Sequence, residues 1–303
     1  MISRFAPSTT GEAHPGTLLS ALLVWLDARA HGGRVVLRLE DLDVVRVKAV
    51  WAQHLVDVCA EIGLTWDDVV VQSWRAAEHA AALDQLAAAG RLYPCACTRS
   101  QRAGGRRSPD GGWAYDNTCR DRRLVGDWRA CSEALRLRLD DVRVDLVDDG
   151  GRDLSQTPAI DMGDPIVRRR DAVIAYQLAV VVDDAAAGIT HVVRGHDIAP
   201  STATQVLIQR ALGLPTPRYR HHFLLLGDER GDKLAKLHGS IPYSTLRAFH
   251  TPAAACGLLA HGAGLLDEPR PCTPAELVSG FTWDRVPRAD RVATLTDTGL
   301  VIR

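Results

Sequence analysis

Long apolar runs are missing from this chain. No uninterrupted apolar stretch approaches the roughly 18–20 residues that span a bilayer, and the first residues, MISRFAPS, lack an apolar signal region. Disulfide spacing is missing as well, because the seven cysteines are an odd number and four of them lie far apart, at Cys59, Cys131, Cys256 and Cys272. We therefore expect a cytoplasmic protein without a membrane partner, and not a small secreted disulfide scaffold.

A strong net charge is also lacking. The 36 basic and 37 acidic residues give a formal net charge of −1, so no global positive field indicates a nucleic-acid partner. A local basic face would be enough, and arginines do cluster, for example at Arg120, Arg122 and Arg123, although each cluster alone is more typical of a solvated surface. The 303 residues, 46% apolar and 24% charged, are typical of a globular enzyme with one large domain or two smaller ones.

Apolar periodicity predicts a βαβ unit at the N-terminus. Residues 2–6 form a short strand, LLSALLVWLDARA is a helix that Gly32 and Gly33 end, and RVVLRLE is a second strand. Such a unit implies parallel pairing with a right-handed crossover. The other predicted elements are helices at 47–62, 76–89, 175–187 and 201–212, a hairpin in VRVDLVDDGGRDL, a strand in ITHVVRG, and helix with loop over residues 241–303.

The loop APSTTGEAHPG joins the first strand to the first helix. Ligands bind at the carboxyl ends of parallel strands, small residues let the backbone approach a ligand closely, and the helix N-terminus favours an anion such as phosphate. His14 adds a donor at the same place, although a His-x-Gly tripeptide alone is more often an ordinary loop. This loop predicts a nucleotide site.

The stretch RFAPSTTGEAHPGT resembles the first signature of the class I aminoacyl-tRNA synthetases, in the glutamyl and glutaminyl group, which reads like R-F-A-P-S-P-T-G-x-L-H-x-G. The resemblance implies that His14 and Gly16 are catalytic and contact ATP. In the family a second His follows this signature, and Thr17 stands at its position in this chain. Thr17 therefore joins the implied ATP site, and Pro15 lies between His14 and Gly16.

A second stretch, KLAKLHG from Lys233, resembles the family's lysine signature, K-[ML]-S-K, with Ala235 in place of Ser. Two lysines, together with the Mg²⁺ expected to accompany ATP, can neutralise the negative charge that builds on the phosphates as a carboxylate attacks the α-phosphorus. The resemblance implies that Lys233 and Lys236 are catalytic and that Lys236 contacts ATP. Taken alone, KLAK would be a solvated basic loop.

A glutamate pocket is implied by three further segments that resemble the glutamyl family, RLEDLD, AYQLAVVVDD and THVVRGHD. Arginine can grip a carboxylate in a bidentate way that lysine cannot. Each residue also has an ordinary explanation. Glu40 and Asp41 could be a surface pair at the end of a strand, Arg194 could be a structural ion-pair partner, and Tyr176 could be a core residue whose hydroxyl reaches the surface. The implied L-glutamate site comprises Arg4, Phe5, Ala6, Pro7, Ser8, Glu40, Tyr176 and Arg194.

Three cysteines bracket an insertion rich in arginine and glycine. Cys95, Cys97 and Cys119 are good thiolate ligands for a four-coordinate metal such as zinc, and a metal would organise a segment that lacks a core. On spacing alone a metal site is an open question, with water or a histidine as the ordinary fourth ligand. YPCACTRSQ and GGWAYDNTCRDR resemble the zinc site of the glutamyl-queuosine tRNA(Asp) synthetases, which implies Tyr115 as the fourth ligand to one structural Zn²⁺.

The resemblance runs from Arg4 to about Gly239, and the stretch after it is too short for the anticodon-binding region of a full glutamyl-tRNA synthetase. It implies an α/β fold: a Rossmann-like class I synthetase catalytic domain with an inserted zinc-binding subdomain and a short, mostly helical C-terminal part. The expected divisions are 1–90 and 176–240 for the two halves of the catalytic domain, 91–175 for the insertion, and 241–303 for the C-terminal region.

The implied function is ATP-dependent activation of L-glutamate to glutamyl-adenylate, followed by transfer of glutamate to queuosine at the first anticodon position of tRNA(Asp). We expect a monomer that acts as a ligase. Two alternatives stay open: an adenylate-forming enzyme that acts on another carboxylate without tRNA, and a degenerate synthetase paralogue that binds RNA or a protein.

Overall fold

The structure, a computed structural model, describes residues 1–227 and 241–303. The described strands are β1 (Ile2–Phe5), β2 (Arg34–Leu39), β3 (Asp68–Val71), β4 (Leu92–Cys95), β5 (Ala134–Leu137), β6 (Ile166–Arg168), β7 (His191–Gly195), β8 (Arg218–His222), β9 (Leu225–Leu226), β10 (Arg291–Thr296) and β11 (Gly299–Ile302). The described α-helices are α1 (Pro15–Ala30), α2 (Ala49–Glu61), α3 (Ala76–Ala88), α4 (Arg99–Arg102), α5 (Pro158–Asp161), α6 (Tyr176–Ala186), α7 (Thr202–Leu212), α8 (Tyr243–Phe249), α9 (Pro252–Gly262) and α10 (Pro274–Leu277).

The chain divides into two compact units. Unit 1 comprises Met1–Val71, Thr190–His196 and Tyr219–Arg303. Unit 2 comprises Gln72–Ile189 and Asp197–Arg218.

Unit 1 is built on a sheet with the strand order β3-β2-β1-β7-β8 among the described residues. β1 is parallel to β2, with Ile2 opposite Arg34, and parallel to β7 on its other side. Helix α1 packs on these strands and is buried on nearly every side, because its sequence is apolar around the whole circumference. The predicted βαβ unit and its parallel pairing are confirmed.

The C-terminal part of unit 1 differs from the prediction. Helices α8, α9 and α10 are present, but the chain then forms an antiparallel hairpin, β10–β11, in which Thr296 lies opposite Gly299. β10 also pairs in parallel with β9, so that Arg291 lies opposite Leu225. The helix-and-loop prediction for residues 241–303 missed this hairpin.

Unit 2 combines an antiparallel sheet, β4-β5-β6, with the packed helices α3, α6 and α7. A buried polar network holds α6: Asp183 accepts hydrogen bonds from the Gln72 side chain at 2.6 Å and lies 2.7 Å from His79 Nε2. The hairpin predicted from VRVDLVDDGGRDL exists as isolated antiparallel bridges, for example between Val147 and Asp153. The predicted helices that became α3, α6 and α7 are confirmed.

Candidate functional site

His14 joins the loop after β1 to helix α1 and caps that helix. Its Nδ1 accepts a hydrogen bond from the Thr17 backbone N–H at 3.4 Å, and Pro15 takes the first helical position, where a missing N–H costs no hydrogen bond. Because Nδ1 accepts, the neutral ring carries its proton on Nε2. Burial lowers the pKa of His14, so this ring is a neutral hydrogen-bond donor near pH 7.

Gly16 makes room for the His14 ring. A Cβ atom at position 16 would lie 3.1 Å from His14 Cε1 and 3.2 Å from Nδ1. The two residues that the first signature singles out are therefore in direct contact, and the glycine lets the ring lie against the start of the helix.

The same loop is fastened to the end of β2. Ser8 and Glu40 form a parallel bridge, and the Glu40 backbone N–H donates to the Pro7 carbonyl at 3.1 Å. Thr9 returns a hydrogen bond to the Glu40 carbonyl at 3.4 Å. Two of the predicted glutamate ligands, Ser8 and Glu40, thus lie side by side at the carboxyl ends of neighbouring strands.

Two buried guanidinium groups come from the adjoining strands β1 and β7. Arg4 is 4% exposed and donates to the Val193 carbonyl at 3.3 Å. Arg194 is 6% exposed and donates from Nε to Nε2 of His221 on β8 at 3.1 Å. Each arginine is the next-to-last residue of its strand, so both lie near the carboxyl ends of the parallel strands, where ligands bind in sheets of this kind.

Arg38 belongs to the same region and was not singled out by the sequence analysis. It is 3% exposed, and its NH2 donates to Glu40 Oε1 at 3.2 Å. The signal was available, because residues two apart on a strand share a face and Arg38 is the one charged residue inside the apolar run VVLRL. The carboxylate of Glu40 is therefore held by its own strand.

The remaining predicted glutamate residues lie in different surroundings. Phe5 is a core residue that stacks on Trp66, with ring centroids 5.7 Å apart, so only its backbone is available to a ligand. Ala6 and Pro7 are half-buried. Tyr176 is the first residue of α6 in unit 2 and is 39% exposed.

His196, which follows β7, has a structural partner. Its Nε2 lies 2.7 Å from Asp290 Oδ1, and that same oxygen accepts the Leu224 backbone N–H at 2.8 Å. Asp290 precedes β10, and Leu224 precedes β9. His196 thus ties the end of β7 to the small sheet that β9, β10 and β11 form.

The lysine signature, with Lys233, Ala235 and Lys236, lies outside the described residues. The segments that flank it are anchored in unit 1. Before it, Leu225–Leu226 pairs with β10, and after it the Tyr243 N–H donates to the Ala13 carbonyl at 2.8 Å. Position 13 immediately precedes His14, so the second flank joins the nucleotide loop.

The predicted thiol ligands of unit 2 come together. The sulfur atoms of Cys95, Cys97 and Cys119 all lie within 4.8 Å of one another, and those of Cys97 and Cys119 are 3.5 Å apart. Sulfur ligands at about 2.3 Å from a tetrahedral zinc are separated by about 3.8 Å. The Tyr115 hydroxyl is 3.6 Å from Cys95 Sγ and accepts the Cys119 backbone N–H at 2.9 Å.

Burial and the hydrogen bonds among these groups shift their pKa values. Burial raises the pKa of the Cys97 thiol to about 11 and raises the pKa of the Tyr115 phenol as well. Burial opposes ionisation of Cys119 too, but hydrogen bonds from Tyr115 and Cys97 lower its pKa to about 7. Several adjacent anions need a cation between them, so this donor set fits a soft divalent metal.

Neighbouring residues hold the cluster in place. The Arg136 Nε donates to Cys95 Sγ at 3.1 Å, and its guanidinium carbon lies 3.5 Å from the centre of the Tyr115 ring. Gly163, with φ +80°, allows the Tyr115 carbonyl to approach, since a Cβ atom there would be 2.1 Å from that oxygen. The cluster is therefore embedded in unit 2 and not displayed on its surface.

In the part of the chain that the structure describes, no helix combines the length and apolarity needed to cross a membrane. The sequence matches a family model, the catalytic domain of the class I tRNA synthetases (E and Q), over residues 1–248.

Several relatives are similar over most of their length. A glutamyl-Q tRNA(Asp) synthetase of Symbiobacterium thermophilum is 41% identical, covering 95% of this chain and 94% of that protein. One of Thiobacillus denitrificans is 47% identical, covering 78% of this chain and 77% of that protein. One of Nocardia farcinica is 42% identical, covering 98% and 94%.

A solved structure shares the fold. The glutamate tRNA ligase of Elizabethkingia meningosepticum, in complex with its amino acid, superposes with a TM-score of 0.74 at 21% identity, over 96% of this chain and 66% of that one. The expected α/β fold is thereby confirmed. Given the family match and the identity with these relatives, the chain belongs to the class I (E and Q) tRNA synthetases, in the group of the glutamyl-Q tRNA(Asp) synthetases.

Proposed function

We propose that this enzyme activates L-glutamate with ATP and transfers the glutamate to queuosine at the first anticodon position of tRNA(Asp). The observation that carries the proposal is the pair of buried guanidinium groups, Arg4 and Arg194, beside the loop-and-strand bridge of Ser8 and Glu40. Relatives that are 41–47% identical carry the name glutamyl-Q tRNA(Asp) synthetase, which supports the choice of substrate and acceptor.

The charges of the site residues complement the charged groups of glutamate. Arg4 and Arg194 would hold carboxylate oxygens, and Glu40 would pair with the ammonium group. Ser8 and the backbone of Phe5, Ala6 and Pro7 would complete the pocket with hydrogen bonds. Tyr176 is assigned to this site by resemblance.

Activation requires the α-carboxylate oxygen of glutamate to attack the α-phosphorus of ATP, with pyrophosphate as the leaving group. The neutral His14 would donate a hydrogen bond from Nε2 to a phosphate oxygen, and Gly16 and Thr17 would present the start of α1 to the nucleotide. Lys233 and Lys236, together with Mg²⁺, would balance the negative charge that builds on the phosphates. The activated acyl group then passes to the acceptor hydroxyl of queuosine, and AMP leaves.

The proposal is tested in two steps. Pyrophosphate exchange into ATP, without tRNA, should respond to L-glutamate within a panel of amino acids. Labelled glutamate should then be transferred to tRNA(Asp) that carries queuosine and not to tRNA(Asp) that lacks it. Exchange driven by a different carboxylate would favour the metabolic adenylating enzyme, RNA binding without any exchange would favour the degenerate paralogue, and equal labelling of both tRNAs would refute the modified base as acceptor.

We also propose that Cys95, Cys97, Cys119 and Tyr115 bind one structural Zn²⁺, whose chemistry is to hold the thiolates together and order the insertion. The purified protein should contain about one zinc per chain. Cys119→Ser should lower zinc affinity by at least about tenfold and lower the melting temperature, as measured by metal analysis and thermal unfolding. Cys131→Ser is the matched control, because Cys131 is a half-buried thiol outside the cluster; equal zinc content in the two variants would contradict the assignment.

A further inference from the structure

Helix α8 begins without a side-chain cap of its own. Its N-cap residue is Pro242, whose side chain has no oxygen that could accept a backbone N–H. The first N–H groups of a helix have no partner within the helix, and here two of them are satisfied by neighbouring residues of the nucleotide loop. The Tyr243 N–H donates to the Ala13 carbonyl at 2.8 Å, and the Ser244 N–H donates to Glu12 Oε1 at 2.6 Å.

These bonds attach the loop to a firmly packed part of unit 1. Tyr243 is 3% exposed, and Leu246 is fully buried in the apolar core. The Tyr243 hydroxyl donates to Glu61 Oε2 on α2 at 3.0 Å, and Arg247 Nε donates to the same oxygen at 3.2 Å. Because α8 is held by the core and by α2, it is a fixed support for the loop.

The two ends of the loop are held by different elements. Toward its start, Ser8 pairs with Glu40 at the end of β2. Toward its end, Glu12 and Ala13 bond to α8, and His14 follows directly. The part of the loop that is assigned to glutamate is thus held by β2, and the part that is assigned to ATP is held by α8.

Glu12 makes the stronger of the two bonds to α8. A carboxylate that accepts a backbone N–H forms a charge-assisted hydrogen bond, which is shorter and stronger than a bond between neutral groups, and a negative group is favoured at the first turn of a helix. Its Oε1 also lies 3.8 Å from His54 Nε2 on α2. Glu12 and Ser244 are 232 residues apart in sequence, so no local pattern indicates this bond.

We propose that Glu12 is a positioning residue of the ATP site: by accepting the Ser244 N–H it holds the loop against α8 and so keeps His14 where it can contact the nucleotide. This inference rests on the proposed function, since it needs His14 to bind ATP. The competing explanation is a purely structural role, in which Glu12 only stabilises the start of α8.

Three substitutions of Glu12 separate the reach of the side chain from its charge. Glu12→Ala removes the acceptor. Glu12→Gln keeps an oxygen at the same reach without the charge, whereas Glu12→Asp keeps the charge but shortens the side chain by one methylene group. Glu61→Ala is the matched control, because it removes an acidic contact to α8 on the side of α2 and leaves both bonds to the loop in place.

The readouts are the Kd for ATP from equilibrium dialysis, the KM values for ATP and for glutamate in pyrophosphate exchange without tRNA, and thermal unfolding. We expect Glu12→Ala to raise Kd and KM for ATP about tenfold and Glu12→Asp to raise them at least about threefold. Glu12→Gln should stay within about twofold of the parent. KM for glutamate should change by less than about twofold in all three, and Glu61→Ala should lower the melting temperature without changing the affinity for ATP.

The comparison of Gln with Asp decides the matter even if the Ala variant does not fold. Equal affinities for ATP in these two variants would overturn the inference, and so would a loss of ATP affinity in Glu61→Ala as large as that in Glu12→Ala. A lower melting temperature of Glu12→Ala with unchanged ATP affinity would overturn it in favour of the structural role. Failure of the proposed function would look different: the parent enzyme itself would then show no exchange with glutamate, whatever its affinity for ATP.

Discussion

Replacing Arg194 with alanine is expected to lower kcat/KM for glutamate in pyrophosphate exchange by about three orders of magnitude. The substitution removes a buried cation and its planar set of donors from near the carboxyl end of β7, and two charge-assisted hydrogen bonds are each worth about 1.5–3 kcal/mol. The His221 acceptor at 3.1 Å also loses its donor. The loss should therefore appear in glutamate binding and not in ATP binding.

Arg194→Lys refines this expectation. Lysine keeps the positive charge but has no Nε–H directed at His221 and no bidentate edge, so we expect a loss of about 100-fold. Arg123→Ala is a suitable control, because Arg123 is exposed and lies in unit 2. Wild-type kinetics for Arg194→Ala would exclude Arg194 from the site.

Replacing Gly163 with alanine is expected to lower the free energy of unfolding by about 3–5 kcal/mol and to weaken metal binding. A Cβ atom at this position would lie 2.1 Å from the Tyr115 carbonyl oxygen and 2.7 Å from its Cβ, so Tyr115 would have to move. That movement would break the bond from the Tyr115 N–H to the Met162 carbonyl, which is 2.9 Å long. It would also displace the hydroxyl from Cys95 and Cys119.

A matched glycine separates the steric effect from the backbone effect. Gly126 has φ +74°, close to the +80° of Gly163, but a Cβ atom there would have nothing within 4 Å. Gly126→Ala should therefore cost only the left-handed backbone penalty, about 1–2 kcal/mol, and leave zinc content unchanged. Denaturant unfolding and metal analysis of the two variants would measure the difference, and equal losses of stability would show that the contact with Tyr115 is not limiting.

The elements that could be predicted from the sequence are those whose pattern is local and strong. The helix α1 carries an apolar run that ends at Gly32 and Gly33, and β2 is an apolar strand that ends on acidic residues. The strands β4, β5 and β6 have only three or four residues each and contain Pro94, Arg136 and Arg168, so no alternation marks them. The hairpin β10–β11 did carry a signal, since ATLT alternates between apolar and polar residues and a Thr-Asp-Thr-Gly turn follows.

The features of the site also differ in whether a local sequence pattern could predict them. The thiol cluster was predictable because its three cysteines bracket a single segment and because that segment resembles the zinc site of a known family. Arg38 and His221 were missed because neither belongs to a recognised motif, and the Arg194 that donates to His221 comes from a different strand. The pairing of His196 with Asp290 likewise joins distant parts of the chain, so no local pattern could have revealed it.

The pairing of β9 with β10 affects how the chain is completed during synthesis. Leu225 and Leu226 leave the ribosome well before Arg291 and Val292, their partners in the sheet. The residues of unit 2 end at Arg218, so this unit has its whole sequence available while the partners of β9 are still unmade. A nascent chain that ends just before Arg291 would leave β9 without its parallel partner β10, two residues from Asp228, where the stretch leading to the lysine signature begins. The flank of that signature can therefore pair only when the chain is almost complete.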